Sequence, residues 1–175
     1  SDFAKAPERL DLSAAPQDGR VSVLSPADNW GLIGSQTALY IQKPAEGAYR
    51  KGELGMIGGI STAMDQNVRT HTNGAAAGSG LVNGANQNVT YASVKDGNWT
   101  QDLDCEAIGN ACTVAVGEKF TIAGVYAVNP RSKESTGQLQ NFTVVTGGTA
   151  NSTAGGQLTL TVSPPIITSG PYQNV

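Results

Sequence analysis

The sequence predicts a mainly β protein, in which a small antiparallel barrel of about six short strands fills the second half and follows a portion that mixes helix and strand. Three observations carry this. Charged residues are 14% of the chain against about 25% in an ordinary soluble domain, and 22 glycines with many Thr, Asn and Ser residues take their place, a turn-rich β profile. The stretch QLTLTVS alternates, with Leu158, Leu160 and Val162 on one face and Thr159, Thr161 and Ser163 on the other. In GEKFTIAGVYAV the alternation slips: Phe120 and Ile122 share a face, but Val125, Ala127 and Val128 fall out of phase, and Gly124 lies at the slip. A glycine there predicts a β-bulge, which bends and twists a strand until a small sheet can curl closed, so a barrel is favoured over a flat sheet.

At 175 residues the chain makes one domain or a small pair, and buries roughly 70% of its unfolded surface. AKAPERLDLSAAP can hold a short helical end, Asp18-Gly19 turns the chain, and RVSVLSP reads as a strand with Val21 and Val23 on one face. Ser25 is placed as an N-cap, with Pro26 at the first helical position and Asp28 in the first turn, so a helix over 26–34 follows, with Trp30 expected in the core. ALYIQ reads as extended and KPAEGAYRKGELG as a loop or a short helix. Between 69 and 80, in RTHTNGAAAGSG, small residues take over and a domain boundary is expected. Beyond it strand follows strand: NVTYASV, with Val89 and Tyr91 on one side, the slipped strand, the stretch carrying Leu139, Phe142 and Val144, and the Leu158 strand.

Few residues could do chemistry. His71 is the sole histidine and lies in a Gly- and Thr-rich segment with no nucleophile elbow nearby, so neither a catalytic triad nor a zinc site is expected, and no cofactor or enzyme activity. Asp102, Asp104 and Glu106 in DLDCE share one face if extended, but Gln101 and Ala107 stand where an EF-hand loop needs its glycine and bidentate glutamate. GMIGG lacks the Gly-Lys-Ser/Thr of a phosphate loop. Cys105 and Cys112 are either a local disulfide across a turn or two free buried thiols. A net charge of -3 and a pI near 5.0 supply no basic stripe for nucleic acid. No apolar run approaches the ~18 residues of a membrane span, and the first ten residues lack a signal peptide's apolar core, so a soluble chain is expected. The start at Ser1 rather than methionine predicts a processed product or a piece of a longer protein. Sequons at Asn88, Asn98, Asn141 and Asn151, with the polar strands, support the alternative of a secreted or surface β-sandwich adhesin or carbohydrate-binding module. The mixed first 70 residues speak against it.

In order, the segments RVSVLSPADN with GLI, AYRKGELGMIGGISTAMDQNVRTHTNG, and VGEKFTIAGVYAVN with STGQLQNFTVV resemble the major coat proteins of short-tailed bacteriophages of the Salmonella phage type. The resemblance implies the tailed-phage coat fold with an inserted β-barrel domain. Residues 1–70 would be a partial peripheral/axial piece, 72–168 the inserted six-stranded barrel, and 169–175 a return segment. It implies a structural, self-assembling subunit of an icosahedral capsid in the virion, put together in the bacterial host cytoplasm. Its partners would be other coat subunits in pentamers and hexamers, and a scaffolding protein, with no membrane and no direct sequence-specific nucleic acid binding. The segment KDGNWTQDLDCE would be a loop bridging capsomers, with Lys95, Asp96, Trp99, Asp102, Asp104 and Glu106 as its contact candidates. NPRSKESTGQ would be a loop influencing assembly, through Arg131, Lys133 and Glu134.

Overall fold

The computed structural model describes residues 3, 5–36, 54–74, 80–152 and 155–175. The expected extension over 38–42, most of the loop expected over 43–55, and 75–79 of the small-residue stretch lie outside them. The chain is mainly β and falls into two compact units, Ser1–Thr70 and His71–Val175.

In the first unit α1 (Lys5–Leu12) and β1 (Val21–Leu24) precede α2 (Pro26–Gln36), and β2 (Met56–Ile57) and β3 (Ile60–Met64) form a hairpin turned by Gly58 and Gly59. GMIGG is therefore a β-turn sequence. The sheet order is β1-β3-β2, with β1 parallel to β3 and β2 antiparallel to it. α2 starts where its cap predicts: Ser25 Oγ accepts the Asp28 N–H at 3.2 Å and donates to Asp28 Oδ2 at 2.7 Å, with Pro26 opening the helix. Arg20 ties α1 to β1, its guanidinium 2.7 Å from Asp11 Oδ1 and donating also to the carbonyls of Pro16 and Ala15. Ile33, Leu54 and Ile60 are buried, with Leu24, Leu32 and Ile57 packed against the first two. Trp30 corrects an expectation: it is 56% exposed rather than in the core. The buried stripe of α2 runs through Asn29, Leu32 and Ile33, and Trp30 stands about 100° around the helix from Asn29.

The second unit contains β4 (Leu81–Val82), a single helical turn α3 (Tyr91–Val94), β5 (Gln101–Glu106), β6 (Thr113–Val114), β7 (Lys119–Val128), β8 (Ser135–Thr146), β9 (Gly148–Thr149) and β10 (Leu158–Ser163). Five of these make one curled antiparallel sheet in the order β4-β5-β10-β8-β7, and β6 pairs with β9 as a separate ribbon. Among the described residues the sheet is a half-barrel of five strands, and the expected closure by six strands is not seen. Its core is the inward face of every long strand: Leu103 and Cys105 from β5, Val125 from β7, Phe142 and Val144 from β8, Leu160 and Val162 from β10. Phe142 stacks on Phe120 with ring centroids 5.6 Å apart. The bulge falls where the alternation slipped. Thr121 faces Asn141 but Tyr126 faces Leu139, so β7 needs more residues than β8 to cover the same span, and Gly124 within the excess has φ 84°.

Two stretches differ from their sequence reading. NVTYASV is not a strand: Val89 makes one isolated bridge to Ile167, and the chain then coils into α3. Local hydrogen bonds compete with a ladder there, since Ser93 Oγ donates to the Thr90 carbonyl at 2.7 Å and the Lys95 N–H to Tyr91 O at 3.0 Å. The segment 95–106 is a loop only as far as Thr100, because 101–106 is β5, held between β4 and β10. At the far end of the unit Glu118 Oε1 accepts the N–H groups of Ala115 and Gly74, and the His71 ring lies against Gly117.

Candidate functional site

The two segments singled out as contact loops meet at one end of the second unit. The first turns through Asn98 and Trp99 into β5, and Trp99 takes φ 57°, a left-handed backbone that non-glycine residues adopt at a cost. The second is the β7–β8 turn. Asn129 shapes it: its Oδ1 accepts the N–H groups of Arg131 and Ser132, its N–H donates to Glu134 O at 2.9 Å, and its carbonyl takes the Lys133 N–H at 2.9 Å. Lys133 also has positive φ, at 61°.

Tyr172 joins them. Its ring stacks on Tyr91 at 5.6 Å, meets the edge of Trp99 at 5.7 Å, and carries the Lys133 ammonium 3.7 Å from its centroid, while Lys133 Nζ also donates to the Tyr172 hydroxyl. Tyr91 and Trp99 meet edge to face at 6.2 Å. The result is a half-buried aromatic platform flanked by charge: Lys95 and Asp96 precede Trp99, and Arg131 and Glu134 stand on the turn. Lys95 and Asp96 approach to 3.8 Å at high exposure, so they remain available to other partners.

The remaining candidates lie elsewhere. Asp102 and Asp104 point outward from β5, where Asp102 Oδ1 accepts the Thr161 hydroxyl at 2.8 Å and Asp104 Oδ1 the Thr159 hydroxyl at 2.5 Å. This outer ladder of acid and hydroxyl runs away from the platform. Glu106 ends β5 opposite Leu81, at the far end of the strand. Cys105 and Cys112 are both free thiols, so the disulfide alternative is not adopted. Burial, and then the Asp104 charge beside it, push the Cys105 thiol up to about 11, which keeps it protonated and unreactive at neutral pH.

Sequence reasoning does not single out Tyr91, Tyr172 or Asn174 as site residues. The only signal for Tyr172 is an aromatic after Gly-Pro in a stretch without strand alternation, and Asn174 looks like an ordinary polar residue. Gln101 and Gln87 carry no signal of their structural roles either. Gln101 is buried, taking the Ile166 N–H on Oε1 at 2.8 Å and donating to Gln87 O at 2.9 Å. The Gln87 side chain in turn acts as a strand partner for β5, accepting the Asp104 N–H at 2.6 Å and donating to its carbonyl at 3.0 Å. Among the described residues no group of three His, Cys, Asp or Glu side chains could hold a metal ion, and no helix is long and apolar enough to cross a membrane.

A family model described as P22 coat protein, gene protein 5, matches residues 1–174. No curated protein matches the chain.

Proposed function

The chain belongs to the P22 coat protein family and is a structural subunit of a bacteriophage capsid, built to assemble with other coat subunits, and we propose that the hairpin end of its second unit is where it meets a neighbour. The observation that carries this is the convergence of residues 95–100 and 129–134 on Tyr172. Two charged segments on a charge-poor chain are held there on one platform instead of waving independently. A contact surface ordered beforehand loses less conformational freedom on binding. Nothing in the fold or the family match favours the adhesin alternative.

In finer terms, the second unit acts as the inserted β-barrel domain, its half-barrel and ribbon stabilising the subunit, and the first unit is a piece of the surrounding coat fold. Lys95, Asp96 and Trp99 form the inter-capsomer contact, with Asp102, Asp104 and Glu106 extending it along β5. Arg131, Lys133 and Glu134 influence assembly. A scaffolding protein takes part, assembly occurs in the host cytoplasm, and with a net charge of -3 the chain reads no nucleic acid sequence. Exposed pairs are worth only about 0.2–1 kcal/mol each, too little to matter in one subunit but repeated at every contact of a shell.

Charge reversal tests this. Asp96→Lys with Arg131→Glu should leave the melting temperature of the free protein unchanged, while electron microscopy shows broken, misshapen or salt-sensitive shells. Normal shells at low and high salt would remove the hairpin end from assembly.

A further inference from the structure

Among the described residues no strand closes the half-barrel at the hairpin end. β7 is the last strand on one side, and on the other β4 covers only the Cys105–Glu106 end of β5. The chain after β10 spans this gap. Pro165, Ile166 and Ile167 are buried, and Ile166 belongs to the core cluster. Ile167 bridges to Val89, with the Val89 N–H donating to Ile166 O at 2.8 Å and the Thr168 N–H to Val89 O at 3.3 Å. From Thr168 the chain is largely exposed again, until Asn174, which is 8% exposed.

Asn174 is a clasp with four hydrogen bonds. Its side-chain oxygen accepts the Ile167 N–H at 2.7 Å and its side-chain amide donates to Pro165 O at 3.0 Å. Its backbone N–H donates to Ile167 O at 3.0 Å, and its carbonyl accepts the Tyr126 N–H of β7 at 2.8 Å. Between the two pins, Gly170 takes φ 102° and presses onto Tyr91 so closely that a Cβ would stand 2.8 Å from the Tyr91 Cβ. That close approach seats Tyr172 on Tyr91, against Trp99 and under Lys133.

We propose that residues 168–175 are a latch, closed by Asn174, whose ring at Tyr172 fixes the arrangement of the 95–100 and 129–134 segments. The exposed loop between two pinned points contributes little to the hydrophobic core, so it can open by itself while the sheet stays folded. Opening withdraws Tyr172 from Trp99 and Lys133 together. The presentation of the hairpin end is thereby set by a residue that touches neither segment. This inference concerns the fold of the unit, and it stands or falls independently of whether that end meets a neighbouring subunit.

The test uses the whole chain with Trp30→Phe, so that Trp99 is the sole indole. In Asn174→Ala, amide exchange at Tyr126 and Ile167 should rise about tenfold or more, and Trp99 emission should move to longer wavelength, while the amides of Leu103, Val144 and Leu160 keep their rates. Tyr172→Leu should accelerate the same two amides, because coupling between two pins is reciprocal. Unchanged Trp99 emission in Asn174→Ala would overturn the latch. So would acceleration of the core amides in step, or unfolding of the unit by both variants, since the segment would then be part of the core.

Discussion

Leu160 and Cys105 show how much a side chain's place in the sheet decides. Leu160 is 3% exposed between Leu103 across the β5 pairing and the β8 core residues, so Leu160→Ala should cost about 2–5 kcal/mol in chemical denaturation; a loss under about 0.5 would mean the inward face is misassigned. Cys105 shares that face. Its thiol is pushed from 9.0 to about 11 when folded, so the folded state favours the protonated form. Its contribution to stability is complete below pH 9.0 and is lost as pH rises toward 11. In the native protein, alkylation should reach Cys112 first at about pH 8, and Cys105 should react at comparable speed only as the pH nears 11; mass spectrometry of the labelled peptides checks the order. At this scale the sequence is readable where period two is unbroken: Leu158, Leu160 and Val162 turn inward as their spacing says. Trp30 is not readable, because a short helix offers several apolar stripes and only the packing partner chooses among them.

Among the elements, α2 and β10 can be read from local chemistry, the first from Ser25, Pro26 and Asp28, the second from strict alternation. The bulge in β7 can be read too, because an extra residue in one strand shifts the inward face by one position, and glycine is the residue that takes the left-handed backbone such an insertion needs. Gly124 supplies a clean test: φ is 84° and no atom lies within 4 Å of where a Cβ would be, so Gly124→Ala adds backbone strain without a clash. It should destabilise the second unit by about 1–3 kcal/mol, measured by thermal melting. No change would show that the strand passes this point without a left-handed residue. β5 is half legible. The shared face of Asp102, Asp104 and Glu106 is visible in the sequence, but their charges suggest a solvated tip, whereas the outer face of a sheet solvates them equally well. The closure by residues 164–175 is illegible, since it depends on side-chain amides and one aromatic stack rather than on any periodicity.

For the molecule as a whole, the two units differ in how much they bury. Among the described residues, the second carries a core cluster drawn from all of its long strands, the first Ile33, Leu54 and Ile60 with a few half-buried neighbours. Hydrogen exchange should therefore be slower through β5, β8 and β10 than through β1 and β3, and equal protection would mean that the first unit gains stability from contacts beyond this core. The family assignment makes the chain a shell component, and the proposed contact places Lys95, Asp96, Arg131 and Glu134 around the Tyr172 platform. Hydroxyl-radical footprinting of free subunits and of assembled shells tests that claim most directly, because the platform aromatics are themselves strong reporters. Trp99, Tyr172 and the 129–134 turn should become markedly less labelled on assembly, while Trp30 serves as a reference in the other unit. Equal labelling of Trp99, Tyr172 and the turn in subunits and shells would contradict a contact at the hairpin end.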